Sequence, residues 1–116
     1  MKNEIIVDGI AYVKKNAAEK MDGMEYVIVR TFSAGVFAGY LKSRSGREVT
    51  MEKARRLWSW KGSATLSQLA MEGTSKPSQC KFPIEMDEIL LLEVIEIINC
   101  TEASRKSISE VPIWTE

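Results

Sequence analysis

Residues 54–62 read ARRLWSWKG, which sets two arginines beside two tryptophans and closes on a lysine and a glycine. A guanidinium group clamps phosphate oxygens through paired hydrogen bonds, and an aromatic ring stacked on a base contributes on the order of 1–3 kcal/mol. If the stretch is a strand, side-chain alternation puts Arg56, Trp58 and Trp60 on one face. Arg55, Leu57, Ser59 and Lys61 then take the other. Such a face could grip a nucleotide without altering it. The same residues fit a plainer reading, with both indoles in the core and Arg56 stacked on one of them at the rim. Phe82, in the loop CKFPIE beside Lys81, is either a loop aromatic for a ligand or a plug for the core. Arg105 and Lys106 read as solvated charges on a short helix. Arg30 lies mid-strand in YVIVRTF, and there it needs an acceptor, either an internal carboxylate or a ligand phosphate.

The chain contains no histidine. That removes the histidine triad, the imidazole general base and the usual zinc site. Asp87 and Glu88 could in principle serve as acid and base, but neighbours on a strand point to opposite faces. GxGxxG and GxxxxGK[ST] are both absent, and SAGVFAG is only loosely glycine-rich. Cys80 and Cys100 lack metal-ligand spacing and read as reduced structural thiols. No catalytic residue, metal or cofactor is expected.

The length of 116 residues, with 45% hydrophobic and 28% charged residues, fits one compact domain, 1–116, able to bury its own core. The longest apolar candidate, ILLLEVIEII, carries two glutamates and is too short to span a bilayer, and the N-terminus does not read as a signal peptide. A cytosolic protein is expected. Sixteen basic and sixteen acidic residues cancel, which argues against a dedicated duplex-DNA binder. The charge is unevenly placed. Residues 30–61 carry eight basic and two acidic side chains, whereas 82–102 carry six acidic and none basic. Either a small anion is drawn to the first segment, or the two segments meet inside the fold or across a subunit contact.

The elements that must position these groups are mostly short strands. EIIVDGIAYVK places Asp-Gly between two β-prone runs, the signature of a two-residue hairpin. AAEKMDGM reads as a loop or a helical turn. YVIVRTF, GVFAGYLKS and EVTMEKARRLWSW, separated by SAG and RSGR, predict an antiparallel meander. SATLSQLAMEG predicts a short helix with Thr65 and Gln68 in a capping box and Gly73 past its end. EILLLEVIEIIN predicts one strand covered on one or both faces. TEASRKSISE predicts a second short helix started by Thr101, and VPIWTE a final strand or tail. The fold class is therefore α+β, a mostly antiparallel sheet of N-terminal hairpin plus meander with two short helices.

In their order, YVIVRTFSAGVFAGYL, ARRLWSW, LSQLAMEG, CKFP with DEILLLEVIEI, and CTEASRKSI ending in VPIW resemble the bacteriophage Thoeris anti-defence sponge family. The likeness runs from about Tyr26 to Trp114. It implies a non-catalytic protein acting in the cytoplasm of the infected bacterial host. Such a protein sequesters glycocyclic ADP-ribose signals made by TIR-domain enzymes, and some members also hold cyclic oligonucleotides. It implies a homodimer with pockets between subunits, and larger assemblies such as a hexamer. Carried over by position, the ligand-binding residues are Phe82, Arg105, Arg30, Arg56 and Trp58, with Phe82 stacking on adenine and Arg105 meeting phosphate. Two rivals stand beside this reading. One is a nucleotide-cleaving phosphodiesterase using Asp87 and Glu88, and the other a single-stranded nucleic-acid module in which Trp58, Trp60 and Phe82 stack bases.

Overall fold

The computed structural model describes the backbone of residues 4–7 and 10–13 and all of residues 17–116. Strands β1 (Glu4–Val7) and β2 (Ile10–Val13) pair antiparallel with Val7 opposite Ile10, the two-residue connection that Asp-Gly predicts. The turn residues Asp8 and Gly9 lie outside the described residues. A second Asp-Gly closes a two-residue turn in MDGM, where the sequence alone reads as a loop or a helical turn. Asp22 and Gly23 take φ of 51° and 80°, and Met21 and Met24 exchange both backbone hydrogen bonds.

The meander follows as β3 (Tyr26–Thr31), β4 (Val36–Ser45) and β5 (Glu48–Arg56). EILLLEVIEIIN is not one strand. It divides into β6 (Met86–Leu91) and β7 (Val94–Asn99), and these occupy opposite edges of an antiparallel sheet ordered β6-β5-β4-β3-β7. Laid flat, five strands would put their edges about 19 Å apart. The step from Leu91 to Val94 spans at most about 11 Å. The sheet must therefore curl until its edges meet at that bend, where Val94 N–H donates to the Arg47 carbonyl and Phe32 N–H to that of Glu93.

Curling creates two apolar compartments. Val27, Val29, Phe37, Val49, Met51, Ala54, Leu91 and Val94 fill the inside. The outer face, carrying Tyr26, Ile28 and Ala38, is covered by α1 (Leu66–Glu72), α2 (Glu102–Glu110) and the segment around Phe82. Gly39 is required where β4 crosses closely over β5, since a Cβ there would lie 2.8 Å from Ala54 Cα. Beside it β5 bulges, with Lys53 at φ 50° and a register shift opposite Gly39. Both threonine caps form as the sequence predicts, but the return bond of the expected Thr65–Gln68 box goes to Ala64, one residue before the cap. Thr65 accepts from Gln68 N–H, Gln68 Oε1 accepts from Ala64 N–H, Gly73 closes α1 at φ 76°, and Thr101 accepts from Ser104 N–H. Among the described residues no helix is long and apolar enough to cross a membrane.

Much of the charge division is used internally. Lys42 on β4 contacts Glu88 on β6 and Glu52 on β5, and Arg30 on β3 meets Glu96 on β7. Basic and acidic segments thus meet on the sheet surface, Arg30–Glu96 between adjacent strands and Lys42–Glu88 across the intervening β5.

Candidate functional site

The expected strand through ARRLWSW stops at Arg56, so Trp58 and Trp60 lie beyond it and the simple two-face alternation does not apply. The bulge at Lys53 had already shifted the alternation: Met51 and Ala54, three apart, both point to the inner core. Arg55 becomes the buried member of the pair. It is 5% exposed, and its guanidinium donates to four backbone carbonyls: Pro83 at 3.0 Å, Ile108 at 2.8 Å, Phe82 at 2.8 Å and Pro112 at 3.3 Å. Burial pulls its pKa down, opposed by Tyr26 and Glu85. A cation satisfied wholly by carbonyls is a structural clasp, joining β5 to the Phe82 segment, the end of α2 and the tail.

The clasp organises three short stretches of chain. Trp58 N–H donates to the Lys81 carbonyl at 3.0 Å, Lys81 N–H to that of Ser59 at 2.8 Å, and Trp114 N–H to that of Phe82 at 3.0 Å. On this rib the Trp58 and Trp114 rings lie 6.5 Å apart and 12° from parallel, within the range of offset stacking. Lys81 Nζ sits 5.4 Å from the Trp114 ring centroid. Trp58 remains 63% exposed, although it is one of the largest apolar groups in the chain.

Arg56, Trp58 and Trp60 do come together, along an open groove of about 220 Å³ walled also by Ala34, Gly35, Val36 and Leu57. Its far wall is a pinned loop. Thr31 Oγ1 donates to the Gly35 carbonyl and accepts from Ala34 N–H, and Leu57 N–H donates to the Val36 carbonyl. The Arg56 guanidinium lies 4.7 Å from the Phe37 ring centroid, which orients it without neutralising it. Among the described residues no carboxylate pairs with Arg56, and the groove lining contains no acid. The arrangement offers one oriented cation and two indoles to an anionic ligand bearing a flat ring.

The remaining candidates are used elsewhere. Phe82 is fully buried in the outer core, so the expectation that it stacks on adenine is corrected: the ring has no accessible face. Apolar burial of a phenylalanine outweighs what an exposed loop position would gain. Arg105 pairs with Glu102 through both carboxylate oxygens, and Glu102 also accepts from Glu19 N–H. Arg105 chiefly holds the Glu102 carboxyl down to about 2, and its own pKa is raised in return. The Arg105 cation is thus already matched, against the expectation that it meets phosphate. Arg30 is exposed, and its Nε donates to Glu96 at 2.9 Å, the internal-carboxylate alternative. None of these three lines the Arg56 groove. Asp87 and Glu88 are consecutive exposed residues of β6, with Glu88 bound to Lys42. Among the described residues no group of three or more cysteines or carboxylates could hold a metal ion. Trp114 and Lys81 were not singled out as ligand contacts by sequence. Their signal was weak, an aromatic in a terminal VPIW and a lysine next to a phenylalanine.

Residues 24–108 match the family described as Domain of unknown function (DUF6948), and the chain belongs to that family. No curated protein and no solved structure matches it significantly.

Proposed function

We propose that this chain is a capture protein, a sponge that holds a glycocyclic ADP-ribose signal without cleaving it and so blocks Thoeris immunity in the host cytoplasm. The observation that carries the reading is the Arg56–Trp58–Trp60 groove, where an uncompensated guanidinium stands beside the exposed Trp58 and half-buried Trp60 indoles and no carboxylate shares the lining. A cyclic diphosphate with an adenine needs those two contacts, a fork for its phosphoryl oxygens and a platform for the base. Phe82, Arg105 and Arg30 leave the proposed site; Trp60 joins it. The groove is open on one side, and a second copy of the chain would supply the missing wall of a pocket between subunits. The resemblance extends the ligand range to cyclic oligonucleotides.

The test is to incubate the protein with the product of a TIR-domain enzyme, follow loss of free signal, heat-denature the protein and analyse the supernatant by mass spectrometry. The sponge reading expects depletion followed by recovery of intact signal, with capture lost in Arg56→Ala and Trp58→Ala while their melting temperatures stay near wild type. Recovery of fragments would establish an enzyme instead. No depletion would overturn the reading. The stacked, exposed Trp58–Trp114 pair beside Lys81 favours one second reading, a platform for single-stranded nucleic acid, which titration with single-stranded oligonucleotides would then test.

A further inference from the structure

A second groove, of about 390 Å³, lies where the curled sheet closes, between the β4–β5 turn and β7. It shares no residue with the Arg56 groove. Two arginines line it. Arg47 sits in the two-residue turn after Ser45, in which Gly46 takes φ 59°, and its carbonyl accepts from Val94 N–H at 3.0 Å. Arg44 Nε donates to the Gly46 carbonyl at 2.9 Å, so the guanidinium is held over the turn. Among the described residues its terminal nitrogens donate to nothing, and neither arginine has a carboxylate partner.

Glu96 is the one carboxylate in the lining, and it is bound to Arg30 at 2.9 Å. With that pair cancelled, Arg44 and Arg47 leave a local charge of +2. Both are anchored to a rigid turn rather than carried on a free loop, which lowers the entropic cost of gathering them around a ligand. The floor is apolar, with Val94 buried and Ile95 46% exposed. Close by, Leu92 and Phe32 are 59% and 77% exposed, tied together by the Phe32–Glu93 backbone bond.

We infer that this groove is a phosphate-binding site, in which Arg44 and Arg47 hold the phosphoryl oxygens of a compound whose apolar part lies along Ile95. The compound is either a free organic phosphate or an anionic lipid headgroup, whose acyl region would meet Leu92 and Phe32.

Both sources are tested with the full chain. In the first arm, inorganic pyrophosphate is titrated at constant ionic strength while arginine Nε–H and backbone amide resonances are followed by NMR. In the second, the protein is sedimented with vesicles of phosphatidylglycerol and, separately, of phosphatidylcholine. Saturable shifts confined to 44–48 and 94–97, weakened about tenfold or more in Arg44→Gln/Arg47→Gln and unchanged in Arg56→Ala, support a site for free phosphates. Co-sedimentation with phosphatidylglycerol alone, lost in the same double variant, supports the site and assigns the lipid source. Arg44 and Arg47 are exposed and Arg56 half-buried, and unchanged resonances elsewhere verify that the variants fold. No binding in either arm, or binding undiminished in the double variant, overturns the inference.

Discussion

Replacing Arg55 by methionine tests whether the buried cation holds the fold together. Removing the guanidinium deletes four hydrogen bonds, but the consequences differ by carbonyl. Phe82 O retains Trp114 N–H and Ile108 O retains Val111 N–H, whereas Pro83 O and Pro112 O lose their donor. Pro83 is half-buried and Pro112 exposed, so at about 1–3 kcal/mol per stranded carbonyl the pair sets an upper range of roughly 2–6 kcal/mol. Relief of the arginine's desolvation offsets part of that, so the expected loss is about 3 kcal/mol, a large share of the 5–15 kcal/mol typical of a domain. At this size it corresponds to a fall in melting temperature of roughly 10 °C. Urea denaturation followed by tryptophan fluorescence measures the loss directly. Near-UV circular dichroism should also change, because the clasped carbonyls belong to the rib that aligns Trp58 with Trp114. Arg55→Lys should fare little better, since one ammonium cannot reach four separated carbonyls. If Arg55→Met unfolds within about 0.5 kcal/mol of wild type, the clasp contributes nothing net and the reasoning fails.

Two further outcomes can be read from stability alone. The Glu102 carboxyl is held at about 2 by Arg105 against an ordinary value of 4.5. A depressed folded pKa stabilises above the unfolded value and is lost on acidification, so stability should decline between about pH 4.5 and pH 2. Glu102→Gln should flatten that part of the curve in acid titration of the melting temperature, and an unaltered slope would refute the pairing. Gly39→Ala places a methyl 2.8 Å from Ala54 Cα and 3.0 Å from the carbonyl oxygens of Glu52 and Lys53. The bulged crossing should lose about 1–3 kcal/mol or more in thermal melts, and a wild-type melt would show the strands are free to separate there.

What the sequence made legible is what local chemistry decides. Asp-Gly turns need positive φ at both positions, Thr65 and Thr101 supply caps within their own helices, and Gly73 ends one, so these features were readable from windows of a few residues. The bend at Leu92–Glu93 was not, because neither glycine nor proline marks it. It exists because one run of chain changes partner from β5 to β3, which only the closed sheet dictates. Arg55 and Arg56 keep the opposite faces that alternation gives them, and Arg56 stays beside Trp58 and Trp60 as expected. What alternation alone does not reveal is that the face of Arg55 is covered by the Phe82 segment, the end of α2 and the tail, which makes that arginine the clasp. Phe82 was ambiguous in the same way. A loop aromatic is exposed or buried according to what crosses over it, here α2 and the tail.

Closure of the sheet has a consequence for synthesis on the ribosome. The first three strands of the meander emerge together, but their two outer neighbours lie in one late stretch, residues 86–99, and the rib that carries Trp58 is finished only by residue 114. Until that stretch leaves the exit tunnel, both flanks of the nascent meander stay unpaired and its inner side chains stay wet. Closure of the curled sheet therefore comes late, whereas the walls of the Arg56 groove, all drawn from residues 34–60, are already outside the ribosome when it happens.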